Sequence, residues 1–295
     1  MPFNYAHALL ALRAHEALGA PAAGLIAACP SAFRAGALGP DPYFADAMPA
    51  PLLRPCRAAL AGRMHGTDAA KLLRALLPAA ESPAQRAYVL GMLCHFLLDA
   101  HAHAYICARF PDGAHTPAEM RMDLPFLDHM GAPAPAGPPW RFFRLGRRAL
   151  DEIDALHAAA VHTLFAEESR GAFRRSYRKW IGLISRLSYD PRARKRGVLV
   201  RLERLLGRPG ALSGRLVTRD PADARADHMN LRHAVWAAPW APECPRRESF
   251  PELFLSALKE APALLDAAAE GFRDGDFARL YALIEGRCMD GSPLL

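Results

Sequence analysis

The segment GMLCHFLLDAHAHAY, residues 91–105, constrains the fold more than any other. His95, Asp99 and His103 recur in it at four-residue steps. On an α-helix that step stacks side chains one turn apart on a single face. Their neighbours Val89, Leu90, Met92, Leu93, Phe96, Leu97 and Leu98 are apolar, so the helix is expected to be buried, where an unpaired carboxylate or imidazole is costly. Twelve residues after His103, His115 and Glu119 in AHTPAEMRMD repeat the step. With 12 histidines and 30 acidic residues in 295, the pattern His-x3-acid-x3-His is expected by chance only about 0.05 times per chain. Accident is therefore a poor explanation. Five ligand-type side chains on two helices predict a bound divalent cation, with donors of the kind zinc takes.

The rest of the chain agrees with a helical scaffold. Ala and Leu dominate, β-branched residues are sparse, and apolar positions recur at three and four, which predicts an all-α chain. A hydrophobic content of 52% is ample for a core. Helices are expected at about 5–28, 52–62, 67–78, 83–109, 115–129, 141–188 and 249–285, with most of the 26 prolines between them. GAPAPAGPPW, 131–140, reads as a Pro-rich connector, and 190–230 as a basic, partly looped section. No connector forces a division, so the expectation is a single compact multi-helix domain over 1–295.

The N-terminus has no basic region followed by an apolar stretch and a cleavage site, and the longest uncharged apolar run, from Ala87, is stopped by His95 and Asp99 before it reaches membrane-spanning length. A cytoplasmic protein without a transmembrane segment, at most peripheral to a membrane, is expected. Cys29, Cys56, Cys94, Cys107, Cys244 and Cys288 form no CxxC pair, which suits a reducing compartment. Cys94 and Cys107 are expected to pack beside the ligand helix. The formal charge of +7 is uneven: between Arg170 and Arg215 fourteen Lys or Arg face only Asp190 and Glu203. Such a section attracts phosphate-bearing partners, either an anionic membrane surface or nucleic acid, unless it is simply a solvated helix face. Phe173, Tyr177 and Trp180 lie within it at helical spacing; they are candidates for base stacking, but more often core.

Three further ligand-type residues sit at turns or helix ends: His7 in NYAHALL, Asp41 in LGPDPYF and His65 in GRMHGTD. Asp41 lies in a rigid Gly-Pro-Asp-Pro turn that would hold a carboxylate in one direction. Taken in order, GPDPYF, a Met-His pair, GxxCHFxLDxxxHxY and HxxxE resemble the bacterial zinc-dependent phospholipase C family, relatives of P1/S1-type nucleases. Asn230, Leu231, His233, Trp236 and Pro239, then Glu248-Ser249-Phe250 and Leu253, are similar to a C-terminal signature of its non-secreted members.

That resemblance implies an all-helical fold holding two or three zinc ions. Asp41, His65, His95 and Asp99 would hold one, with Asp99 bridging to a neighbour; His103, His115 and Glu119 would hold another. A third would take His7 and Asp99, with the N-terminal amino group and carbonyl of a Trp in secreted members. Here no Trp is in reach, and the Pro2 imino nitrogen is the candidate substitute. The implied activity is phosphodiester hydrolysis by a metal-activated water, with Asp41 as combined ligand and base and a phospholipid as substrate. A single-strand nuclease and a non-catalytic, metal-stabilised helical binding protein are the alternatives. His101 is turned off the ligand face, His129 suits a helix C-terminus, and Asp123, one turn beyond Glu119, is placed to orient a ligand imidazole.

Overall fold

The computed structural model describes residues 4–47, 58–111, 114–132, 138–220, 225–290 and 292–294. The fold is all-α, and among the described residues β-pairing is limited to isolated bridges. Its centre is α6, Pro83–Arg109. Ser82 caps this helix in a reciprocal capping box with Gln85, and Pro83 stands at the first turn where its missing N–H costs nothing. The helix is long and apolar enough to cross a membrane, but 78% of its most apolar window is buried inside the protein. It is a core helix with a polar face.

Around α6 pack α1 (Asn4–Glu16), α2 (Ala20–Ala28), α3 (Pro30–Gly36), α9 (Arg147–Phe165) and α13 (Phe250–Asp274). Between α3 and α6 the backbones nearly touch. A Cβ built on Gly36 would lie 2.0 Å from the Tyr88 carbonyl, and one on Gly91 would lie 2.0 Å from the Phe33 carbonyl. Only glycine admits that approach. The chain leaving α3 is thereby laid directly over the ligand face of α6.

The expected helices 83–109 and 115–129 match α6 and α7 (His115–His129). Other boundaries differ for local reasons. The expected helix 5–28 is two, since the chain breaks at Ala17–Gly19 and restarts with Pro21 in the first turn of α2. The expected 52–62 helix is present as α4, Ala58–His65, while 52–57, Cys56 among them, fall outside the described residues. The expected 67–78 helix is α5, Ala69–Leu76, capped by Asp68. In the expected span 141–188, α9 stops at Ala166, φ +54°, and a new helical run begins after Gly171, φ +76°. That run is α10 (Ala172–Lys179), a π turn (Trp180–Ile184) and α11 (Ser185–Ser188), and the four-residue helix α8 (Pro139–Phe142) precedes α9. The section expected to be partly looped contains α12, Arg194–Leu205. Its high Arg content obscured the pattern. The last expected helix divides at Gly275, φ +78°, into α13 and α14 (Ala278–Ile284). Of the Pro-rich connector, 133–137 lie outside the described residues.

Candidate metal centre

Five elements deliver the eight expected side chains: α1 supplies His7, a 3-10 turn (Asp41–Ala47) supplies Asp41, α4 ends on His65, α6 carries His95, Asp99 and His103, and α7 opens with His115 and carries Glu119. His7, Asp41, His65, His95, Asp99 and Glu119 are buried, and His103 and His115 are half-buried. Ligand atoms of His7, His95 and Asp99 lie within 4.8 Å of one another, as do those of Asp41, His65 and His95. His95 belongs to both groups. The turn reaches it because Gly39 adopts φ +52° and has no Cβ; one built there would stand 2.3 Å from His95 Cδ2.

Imidazole orientation tells what these groups are shaped to hold. His65 Nδ1 meets the Ala61 carbonyl at 2.8 Å, and His95 Nδ1 meets the Ala37 carbonyl at 3.3 Å. A carbonyl accepts only, so both Nδ1 atoms carry the proton and both Nε2 atoms present a lone pair in the neutral ring. Those lone pairs face carboxylate oxygens: His65 Nε2 lies 3.1 Å from Asp41 Oδ1, and His95 Nε2 lies 3.2 Å from Asp99 Oδ2. Two acceptors aimed at each other repel unless a proton or a cation stands between them. His95 Nε2 is buried without a hydrogen-bond partner, which favours the cation. His7 Nε2 closes on the other oxygen, 3.3 Å from Asp99 Oδ1, with its ring stacked on His95 at 4.3 Å. The set fits zinc in ligand type, and the backbone carbonyls behind the rings are the supports that fix a ligand imidazole.

Without a cation the imidazoles and carboxylates are held by each other: burial pulls the His95 imidazole down, but Asp99 and Asp41 outweigh it and raise it above its usual range. Burial pushes the Asp99 carboxyl up, but the His95 and His7 imidazoles on either side outweigh it and hold it well below the usual carboxylate range. Asp41 is also driven below its usual range, burial being overcome in part by His65 and His95. Burial, and then the neighbouring His95, lower His7, so it stays neutral, as a metal ligand must.

A second group gathers at the α6–α7 junction. His103 Nε2 lies 3.1 Å from His115 Nε2, whose ring also meets Glu119 Oε1 at 3.2 Å. Cys107 joins them: ligand atoms of His103, Cys107 and His115 lie within 4.8 Å of one another. Packing was the expectation for both nearby cysteines, and Cys94 fulfils it, fully buried with its thiol pushed up to about 12 by desolvation. Cys107 does not. The available signal was its position, one more four-residue step after His103.

Asp123 orients no ligand imidazole. Its carboxylate accepts the backbone N–H groups of Tyr5 at 2.9 Å and Ala6 at 3.0 Å, tying the start of α1, and with it His7, to α7. His101 points away as expected, 3.1 Å from Glu260 on α13, and His129 ends α7. The Pro2 imino nitrogen expected beside His7 lies outside the described residues. The C-terminal signature braces a loop: Asn230 Nδ2 donates to the carbonyls of Ala234, Arg247 and Glu248, Trp236 Nε1 donates to the Glu248 carbonyl, and Ser249 caps α13.

Residues 6–173 match the family model described as zinc dependent phospholipase C. No curated protein and no solved structure matches the chain. The matched span covers more than half of the sequence and takes in every side chain of both groups, from His7 to Glu119, so the chain belongs to the zinc-dependent phospholipase C family.

Proposed function

We propose that the protein is a zinc-dependent phosphodiester hydrolase that cleaves phospholipids, releasing diacylglycerol and a phosphorylated head group. The observation that carries the reading is the convergence, inside the family match, of eight ligand-type side chains from five elements, with imidazole lone pairs turned toward carboxylate oxygens. Asp41, His65, His95 and Asp99 would hold one zinc, His103, His115 and Glu119 a second, and His7 with Asp99 a third. Zinc bound in such a site lowers the pKa of water to near neutrality and neutralises charge on phosphoryl oxygens. Asp41 has the role of orienting that water and accepting its proton: one carboxylate oxygen faces His65, and the other is assigned to the water. Its depressed pKa keeps it ionised, so it serves as a fixed acceptor more than as a strong base.

A feature of the basic section supports a lipid surface over nucleic acid. On α12, Val198, Leu202 and Leu205 share one face at helical spacing and are exposed, Leu205 to 85%, beside exposed Arg201, Arg204 and Arg208. Exposed leucines among arginines suit insertion into an anionic interface. The aromatics that would stack bases are core residues instead: Phe173, Tyr177 and Trp180 are buried. Single-strand cleavage is therefore the weaker reading.

The test is elemental analysis of zinc per chain together with product analysis on phospholipid vesicles and on single-stranded DNA. Expected are two or three zinc ions, release of phosphorylated head group, and loss of metal and turnover in both His95→Ala and His115→Ala. Nucleotide release without head-group release would move the substrate to nucleic acid. Full zinc with no turnover on either substrate would leave a metal-stabilised binding protein, and near-zero zinc that added metal does not restore would remove the hydrolase reading.

A further inference from the structure

Among the described residues of the α6–α7 junction, Cys107 is a ligand-type side chain that the resemblance to the family did not supply. It follows His103 by one helical turn, so its thiol and that imidazole share a face. His115, at the start of α7, brings a ring nitrogen within 4.8 Å of the Cys107 thiol and lies 3.1 Å from His103 Nε2 and 3.2 Å from Glu119 Oε1. Two imidazoles and a thiol thus lie within 4.8 Å of one another, with the Glu119 carboxylate against the outer of the two imidazoles, His115. Each is a donor zinc accepts, and together they number the four of a tetrahedral site.

We propose that Cys107 is a protein ligand of the second metal, which makes the junction a His103, Cys107, His115, Glu119 site. The proposal rests on the metal-centre reading and deepens it. Binding converts the thiol to a thiolate with loss of one proton to solvent and formation of one metal–sulfur bond, with no change of oxidation state. Two consequences follow. A thiolate makes the site softer and biases it toward zinc over magnesium or manganese. Four protein ligands also close the site in the manner of structural zinc, so an open coordination position belongs to the group containing Asp41.

Cobalt(II) is the probe, because a thiolate ligand gives it an intense near-ultraviolet charge-transfer band that nitrogen and oxygen ligands do not. The full-length protein is loaded with cobalt, its metal content measured and its absorption recorded, for wild type, Cys107→Ser, Cys94→Ser and His95→Ala. The band is expected in wild type and Cys94→Ser, absent in Cys107→Ser, and retained in His95→Ala despite metal lost from the other group. On unmutated protein, zinc is expected to slow iodoacetamide alkylation of Cys107, mapped by peptide mass spectrometry, by about tenfold or more. Stoichiometric cobalt without the band, a band that survives in Cys107→Ser, or alkylation that zinc leaves unchanged would overturn the Cys107 assignment and spare the metal centre. A wild-type chain that takes up no cobalt would overturn both.

Discussion

His157 shows what a single buried group implies for the protein's response to acid. Its ring is stacked on Phe173 at 4.0 Å, Nε2 meets the Tyr88 hydroxyl at 2.8 Å, and no carboxylate is among these partners. Burial drives its pKa from 6.5 down to about 3. The folded state therefore holds it neutral while the unfolded chain protonates it near 6.5, so its contribution is intact above that value and is lost as pH falls from 6.5 toward 3. Between pH 7.5 and 5 the loss is about 2 kcal/mol. Urea unfolding at the two pH values should show wild type losing about that much more than His157→Gln; equal losses would refute the assignment. Asp41 supplies the corresponding test for chemistry. Asn keeps the shape and cannot take a proton, so Asp41→Asn should lower turnover by about a hundredfold to ten-thousandfold with at most one zinc lost per chain. Unchanged turnover would remove Asp41 from the reaction.

At the scale of elements, the close approach of α3 and α6 decides where the site forms. A methyl group at Gly91 would meet the Phe33 carbonyl at 2.0 Å, and neither backbone can move without shifting Ala37, whose carbonyl orients His95. Gly91→Ala is expected to destabilise by about 1–3 kcal/mol and to lower zinc content. Gly62, in α4, has open space around its Cα, so Gly62→Ala should instead stabilise by about 0.4–1 kcal/mol. Matching urea midpoints for the two variants would show that the close approach is not enforced. The same contact marks how far the sequence could be read. His95, Asp99 and His103 were legible because spacing along one helix is a local property, and His115 and Glu119 for the same reason. His7, Asp41 and His65 depended on family resemblance, since nothing within seven residues of each says which helix they meet. Gly91 inside an apolar helical run was a readable sign of close packing, and the four-residue step from His103 to Cys107 of the thiol that joins the second group. The end of α9 at Ala166 and the start of α12 at Ala193 were not readable, because both are alanines at positive φ, a conformation that alanine does not signal.

On the scale of the whole molecule, the centre and the fold depend on each other. Its candidate ligands come from α1, the 3-10 turn, α4, α6 and α7, and no one segment brings more than three of the eight together. The C-terminal segment closes the arrangement: Ala69 N–H donates to the Arg287 carbonyl at 2.8 Å, Met289 N–H to Thr67 at 3.0 Å and Asp290 N–H to His65 at 3.2 Å, which clamps the α4–α5 junction where His65 sits. The unfolded chain cannot reproduce this geometry, so metal binding is coupled to folding. At a free zinc concentration of 100 to 1,000 times Kd the linkage amounts to about 3–4 kcal/mol per site, or roughly 5–7 °C in the melting midpoint of a chain of this size. Chelation should therefore lower the midpoint by that amount, and zinc, but not magnesium, should restore it. Deleting residues 287–295 should reduce the zinc-dependent part of the shift by loosening His65, while leaving the Cys107 group loaded. A melting midpoint indifferent to chelator would mean that these buried imidazole and carboxylate pairs are held by protons alone, and the cation reading of the centre would fail with it.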